Sequence, residues 1–232
     1  MPQTPEALIF DVDGTLAETE EAHRQAFNSA FLQHGLEWEW DLELYKALLA
    51  TSGGKERIRA YATQYDPDRL DDDGFDELVG RLHATKTRLY TDMVARGQVP
   101  LRPGIQSLID EARTRGLKLA IATTTTRANV DALLTGATSG AGHHWFDVIA
   151  CSDDAPVKKP DPQVYQVVLD RLGLPADACL AIEDSNNGVR AAVAARIPVV
   201  VTKSIFTESP DYPGAIAVYT NLEGVSLEDI AT

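Results

Sequence analysis

Residues 7 to 16 read Ala-Leu-Ile-Phe-Asp-Val-Asp-Gly-Thr-Leu. An apolar run ends in two carboxylates, Asp11 and Asp13, two positions apart. A buried carboxylate without a partner is costly, and two close together repel each other. Such a pair at a strand end therefore needs an offsetting charge, such as a bound cation. Three more polar clusters follow apolar runs: Thr123-Thr124-Thr125-Thr126, Lys158-Lys159-Pro160 and Glu183-Asp184-Ser185-Asn186-Asn187-Gly188. Carboxylates from two strand ends, Asp11 and Asp184, can clamp a hard divalent cation such as Mg²⁺, which favours oxygen ligands. A lysine and a threonine hydroxyl beside backbone N–H groups make an anion cradle. Together these groups suit a phosphoryl group. The metal neutralises its charge, and one free carboxylate can attack phosphorus. The other carboxylate can protonate the leaving oxygen and then activate water.

These residues need a scaffold that brings them to one edge. Short apolar runs at Ala7–Phe10, Leu117–Ala122, Phe146–Ala150, Cys179–Ile182, Pro198–Val201 and Ile216–Tyr219 read as strands. Being apolar throughout, they predict a parallel sheet covered on both faces. Helical periods lie between them. Pro103 opens one, with Ile105, Leu108, Ile109 and Ala112 on a single face and Gly116 at its end; another runs from Pro162 to Leu172 and stops at Gly173. This rhythm is α/β, a doubly wound, Rossmann-like sheet, in which ligands bind beyond the carboxyl ends of the strands. The rhythm breaks from Glu18 to Ala95, where only helical periods occur. Ala22, Ala26, Ala30, Phe27 and Phe31 form a stripe closed by Gly35, and further helices are expected at Leu42–Leu49, Lys55–Tyr65 and Phe75–Val94. The expectation is an α/β core of residues 1–17 and 96–232, interrupted by a helical cap of residues 18–95. Asp71-Asp72-Asp73 reads as a solvated loop, and residues 135–144 as a mobile connection without a functional reading.

The chain has 232 residues, enough for one large domain or one carrying a smaller insertion. Its net charge of −14 argues against nucleic acid or an anionic membrane as a partner. An anionic substrate would need cations concentrated locally. Cys151 and Cys179 stand in apolar surroundings outside any CxxC and read as buried, reduced thiols, which fits a cytoplasmic protein. The first residues, Met-Pro-Gln-Thr-Pro-Glu, lack the pattern of a signal peptide, and no apolar run reaches the length of a membrane span. A monomer is the expectation, since a mobile cap needs no partner.

Asp-Val-Asp-Gly-Thr (11–15), Thr123, Lys159 before Pro160, and Glu-Asp-Ser-x-x-Gly (183–188) resemble, in order, the four motifs of the haloacid dehalogenase superfamily. The segment 18–95 resembles that superfamily's small helical cap. The resemblance implies that Asp11 is the nucleophile that becomes an aspartyl phosphate. It implies that Asp13 is the general acid/base, with its backbone carbonyl on Mg²⁺. Thr123 and Lys159 would bind phosphate, Lys159 also neutralising the nucleophile. Asp184 would be a metal ligand and Glu183 a direct or water-mediated second one. A dehalogenase would lack the second aspartate of the pair, so Asp13 argues for phosphoryl chemistry.

The cap should select the ester, because it closes over the site. Glu18 and His23 follow the nucleophile loop; a histidine there can bond a sugar hydroxyl, shuttle protons or merely sit on the helix. In Thr-Ser-Gly-Gly-Lys-Glu-Arg (51–57), Gly53 and Gly54 let backbone approach a ligand, and Lys55 and Arg57 add positive charge. Lys86 and Arg102 can meet a second phosphate or form surface salt bridges. Thr124, Asn129 and Asn187 can touch substrate, whereas Lys158 reads as a solvated neighbour. Residues 38–58, with Ala-Glu-Thr-Glu-Glu-Ala-His-Arg-Gln-Ala-Phe (17–27), Ala-Thr-Thr-Thr (122–125) and Val-Lys-Lys-Pro (157–160), resemble the CbbY-type proteins. That group includes phosphatases of xylulose-1,5-bisphosphate, an inhibitory by-product of Rubisco. The resemblance implies a phosphorylated sugar as substrate, with one phosphate at Mg²⁺ and the other at the Gly-Gly-Lys-x-Arg loop. A β-phosphoglucomutase-like mutase shares fold, cap and metal and stays open as an alternative. So does a non-catalytic sugar-phosphate binding protein, although the intact Asp11, Asp13, Lys159 and Asp184 speak against it.

Overall fold

Strand β1 (Ala7–Phe10) is wholly buried, and its neighbours explain why. In the computed structural model, which describes residues 5–207, 209 and 211–230, β1 pairs in parallel with β2 (Lys118–Ala122) on one side and β4 (Cys179–Glu183) on the other. With β3 (Val148–Ala150), β5 (Val199–Thr202) and β6 (Ala217–Tyr219) this makes an all-parallel sheet of order β3-β2-β1-β4-β5-β6. All six expected strands form. Leu117, Phe146, Pro198 and Ile216 fall just outside them, and Glu183 and Thr202 extend β4 and β5. The edge strand β6 departs from the expectation of two covered faces, since Val218 is 46% exposed. Residues 1–4 of the expected core segment, which hold most of the stretch read for a signal peptide, lie outside the described residues, as do 231–232.

Alternation of side chains along each strand gives two cores. Leu8, Phe10, Leu119, Ile121, Leu180 and Ile182 face α5 (Ile105–Thr114) and α6 (Arg127–Thr138). Ala7, Ile9, Ala120, Ala122 and Ala181 face α7 (Gln163–Leu172) and α8 (Asn186–Ala194). Pro103 precedes α5 instead of sitting in its first turn, because Gly104 takes the N-cap with φ +84°. Cys151 and Cys179 are free and buried. Among the described residues no helix is long and apolar enough to cross a membrane.

Between β1 and α5 lie α1 (Glu20–Gln33), α2 (Leu42–Leu48), α3 (Gly54–Tyr65), a short 3-10 turn at Pro67–Asp71 and α4 (Phe75–Ala95), with no strand among the described residues. The stripe on α1 is buried and divides between two cores. Ala22 and Ala26 join Tyr90 and Val94 of α4 against the sheet's core. Phe27 and Phe31 join Trp38, Trp40, Tyr45 and Tyr61 in an aromatic cluster of their own. Ring centroids there lie 4.6 Å apart for Phe27 and Trp40 and 4.9 Å for Phe31 and Trp40. Such pairs add about 0.5–1.5 kcal/mol each beyond burial. Asp71, Asp72 and Asp73 are exposed as expected. The segment 135–144 corrects its reading as a loose connection. Residues 135–138 are the last turn of α6, followed by a 3-10 turn at Ala141–His144. Gly136 lies against Val94, where a Cβ would come 2.0 Å from the carbonyl oxygen. Only glycine lets α6 approach α4 this closely.

Candidate active site

Strands β1 and β4 are adjacent where the strand order reverses, the place where open α/β sheets bind ligands. Asp11 leaves the end of β1, and its backbone N–H donates to the Ile182 carbonyl of β4 at 3.0 Å. Glu183 and Asp184 stand at the end of β4, so register sets all three carboxylates side by side. Oxygens of Asp11, Glu183 and Asp184 lie within 4.8 Å of one another, and all three residues are buried. The Lys159 ammonium enters from the loop after β3. It donates to Asp11 Oδ1 at 2.7 Å, Glu183 Oε1 at 2.6 Å and the Ala122 carbonyl at 2.8 Å. Tyr165 of α7 donates to the same Glu183 oxygen at 2.6 Å, and Thr207 to Asp184 Oδ2.

Three buried carboxylates thus stand together, and the one ammonium among them bonds only Asp11 and Glu183. Burial pushes Asp11 up to about 8, with Glu183 and Asp13 adding to the rise and Lys159 opposing it. Burial, then Asp11 and Glu183, raise Asp184 well above the carboxylate range. Burial works against the charge of Lys159, but Asp11 and Glu183 outweigh it and hold its pKa above the usual lysine value. The residues present therefore fit a divalent cation: the donors are all oxygen, and their excess negative charge is buried. The backbone keeps space for this cluster. A Cβ on Gly14, at φ +83°, would come 2.2 Å from Asp184 Oδ2, and one on Gly188 would come 1.9 Å from the Glu183 carboxylate.

Asp13 stands in a second network. Its Oδ1 accepts from the Thr19 hydroxyl at 2.5 Å and meets His23 Nε2 at 3.1 Å. His23 Nδ1 is 2.7 Å from the Lys86 ammonium, and its ring stacks on Tyr90 with centroids 3.8 Å apart. Burial and then Lys86 lower the His23 pKa, so at neutral pH the ring accepts from Lys86 and donates from Nε2 to Asp13. Burial opposes ionisation of Asp13, but these donors and the nearby Lys86 charge bring it down to about 2. Thr123 is buried behind β2, and its Oγ1 accepts from the Thr125 N–H at 3.2 Å, leaving the hydroxyl proton to donate.

A cavity of about 480 Å³ joins these groups to the cap helices. Of the sequence-derived residues, Asp11, Asp13, His23, Gly53, Gly54, Lys55, Arg57, Lys86, Thr123, Thr124, Asn129, Lys159, Asp184 and Asn187 line it. Two do not. Arg102 donates to the backbone carbonyls of Gly14, Thr202 and Lys203, so its guanidinium is used up holding two loops together. Glu18 accepts from Ser204 and lies 3.9 Å from Arg102, joining the same clamp. In this structure Glu18 and Arg102 therefore form a clamp between loops and line no part of the cavity. Glu183 lies beneath the floor, behind Lys159.

Other members escaped the sequence reading. Glu20 lines the cavity and accepts from Tyr45, whose hydroxyl in turn accepts from Arg57 at 3.1 Å. In the sequence Glu20 reads only as an acid in a helix's first turn, and Tyr45 and Tyr165 only as apolar positions. His83 lies one turn before Lys86 on α4 and also faces the cavity. Lys158 is not a free solvated neighbour. It pairs with Glu56 of α3 at 2.7 Å, and Asn187 of α8 donates to Ser52 at 3.2 Å, so two contacts tie sheet to cap.

Residues 5–196 match the family of haloacid dehalogenase-like hydrolases. The chain is 52% identical over 217 residues to the plasmid CbbY protein of Cupriavidus necator, covering 94% of this chain and 85% of that protein. In structure it is similar to CbbY from Rhodobacter sphaeroides in complex with phosphate, with a TM-score of 0.90 at 40% identity over 98% of this chain and 100% of the other. A mutant of that protein in complex with xylulose-(1,5)bisphosphate gives a TM-score of 0.89 at 40% identity, covering 97% and 99%.

Proposed function

Because the chain belongs to the haloacid dehalogenase-like hydrolases, among the CbbY proteins, and is a phosphoric monoester hydrolase, we propose that its substrate is xylulose-1,5-bisphosphate. The products are xylulose 5-phosphate and inorganic phosphate, and the reaction removes an inhibitor of Rubisco. Residues 18–95 act as the cap and residues 1–17 with 96–232 as the core. The enzyme works as a cytoplasmic monomer; two free, buried thiols are in keeping with a reducing compartment.

Asp11, Asp184, Glu183 and the Asp13 backbone carbonyl would hold Mg²⁺, which supplies neutralisation of the phosphate and carboxylate charges. Lys159 fixes the Asp11 carboxylate, leaving an oxygen free to attack phosphorus. The bond from phosphorus to the sugar oxygen breaks, Asp13 gives that oxygen a proton, and an aspartyl phosphate forms on Asp11. Asp13 then takes a proton from water, the water oxygen attacks the same phosphorus, and the phosphorus bond to Asp11 breaks. Thr123 donates to the transferring phosphate throughout. The hydrogen-bonded row Lys86–His23–Asp13 supplies a proton to Asp13 for the first half.

The observation that carries this reading is the opposition across one cavity. Asp11, held by Lys159, forms the floor, and Lys55 and Arg57 stand on the cap side. One end suits a phosphate at the carboxylates and the other a second phosphate. Asp11→Asn tests the mechanism. It should lower turnover by at least about 10³-fold, roughly 4 kcal/mol, while substrate still binds in calorimetry. Turnover near the parent's would remove the aspartyl phosphate.

A further inference from the structure

Lys158 and Lys159 are consecutive yet serve opposite walls of the cavity. Lys159 reaches the floor, whereas Lys158 crosses to the cap and ends 2.7 Å from Glu56 Oε2 in the first turn of α3. The pair sits over Gly53, where a Cβ would come 2.1 Å from Lys158 Nζ and 2.2 Å from Glu56 Oε2. Lys158 and Arg59 are the cations acting on the Glu56 charge, and Lys55, Arg57, His83 and Lys86 line the same cavity. Arg57 is only 9% exposed, and its Nε has no hydrogen-bond partner. Gly53 offers α3 no side-chain cap, and the Glu56 carboxylate bonds its own backbone N–H instead. Burial disfavours the charge of Glu56, but Lys158 and that N–H outweigh it and hold its pKa below the usual value.

We propose that Lys158 binds the substrate's second phosphate, and that the Glu56 carboxylate stands in for that phosphate until substrate displaces it. The inference rests on the bisphosphate reading above and names the residue exchange that enforces it. The side chains of Lys158 and Glu56 are 25% and 48% exposed, so solvent screens the pair and it is weak. A phosphate dianion offers three acceptor oxygens and stronger charge-assisted bonds to the same ammonium, to the α3 N–H groups and to Arg57 Nε. The exchange therefore runs toward the bisphosphate. A monophosphate ester, with its one phosphate at Asp11, leaves Glu56 in place. Adjacent lysines thus assign one ammonium to each phosphate.

The test compares KM and kcat of the parent, Glu56→Gln and Lys158→Gln on xylulose-1,5-bisphosphate and on a sugar 1-phosphate. Lys158→Gln should raise the bisphosphate KM about tenfold, and Glu56→Gln should lower it about threefold, with kcat within about twofold in both. The sugar 1-phosphate KM should move by less than these factors. Equal changes on both substrates, or a fall confined to kcat, would make the pair a plain tie between cap and core and overturn the proposal. A parent with no preference for the bisphosphate would overturn the substrate reading itself, and that result is visible before any variant is made.

Discussion

Lys86 carries an ammonium in a nearly closed setting, 2.7 Å from His23 and 4.9 and 5.2 Å from the ring centroids of Phe27 and Tyr90. Burial lowers its pKa to about 8, although Asp13 and Glu20 favour the charged form. A depressed lysine pKa means that the charge is present below pH 8 and lost above it. The ratio kcat/KM reports groups of the free enzyme, so for the bisphosphate it should fall as pH rises through about 8. Lys86→Arg, which does not titrate there, should flatten that limb; an unchanged limb would separate Lys86 from substrate binding. The same shift acts on stability with a defined sign. Between about 8 and the ordinary 10.5 the unfolded chain binds the proton and the folded chain does not, so this group's contribution to stability grows across that window. At this scale the sequence was most informative for Asp11, Asp13, Thr123, Lys159 and Asp184, because strand ends marked their clusters and the resemblance to the four motifs picked the residue within each. It did not reveal the contacts that Glu18 and Arg102 make. A charge near a hinge looks the same whether it faces substrate or, as Arg102 does, three backbone carbonyls.

Helix α4 does two jobs, since its first half packs in the aromatic cluster and its last turns pack on α6. Its contact with α6 depends on Gly136, where a Cβ would come 2.0 Å from the Val94 carbonyl. The obstacle is backbone, which cannot rotate away. Gly136→Ala should therefore destabilise by about 1–3 kcal/mol, read as a lower urea midpoint at unchanged slope. Gly80, inside the same α4 with nothing within 4 Å of its Cβ position, supplies the contrast. Gly80→Ala should stabilise by about 0.5–1 kcal/mol. A neutral Gly136→Ala would mean that the helices do not meet as described. Helix and strand positions were readable here because apolar period and Gly or Pro punctuation report local structure. The packing of residues 135–138 was not, because glycine-rich sequence signals a loop and a close helix crossing equally.

Over the whole molecule, a net charge of −14 surrounds a cavity whose cap side is basic. The doubly wound core and the helical insertion were legible because strand and helix periods differ. The ties between them were not: Lys158 and Glu56 are 102 residues apart, and no local pattern links them. Mg²⁺ should couple to global stability through the buried carboxylates, since a cation that binds only the folded chain raises its melting temperature. At saturating Mg²⁺ the parent should melt several degrees higher than in chelator, and Asp184→Asn should lose most of that rise. An equal rise in Asp184→Asn would move the metal elsewhere. The central claim, a phosphatase selective for a sugar bisphosphate, is tested most directly by inorganic phosphate release with Mg²⁺ across a substrate panel. The panel comprises xylulose-1,5-bisphosphate, ribulose-1,5-bisphosphate, phosphoglycolate, sugar monophosphates and β-glucose 1-phosphate. The kcat/KM for xylulose-1,5-bisphosphate should lie at least about tenfold above that for every other ester, a margin of about 1.4 kcal/mol. Conversion of β-glucose 1-phosphate to glucose 6-phosphate without phosphate release would contradict it and make the enzyme a mutase.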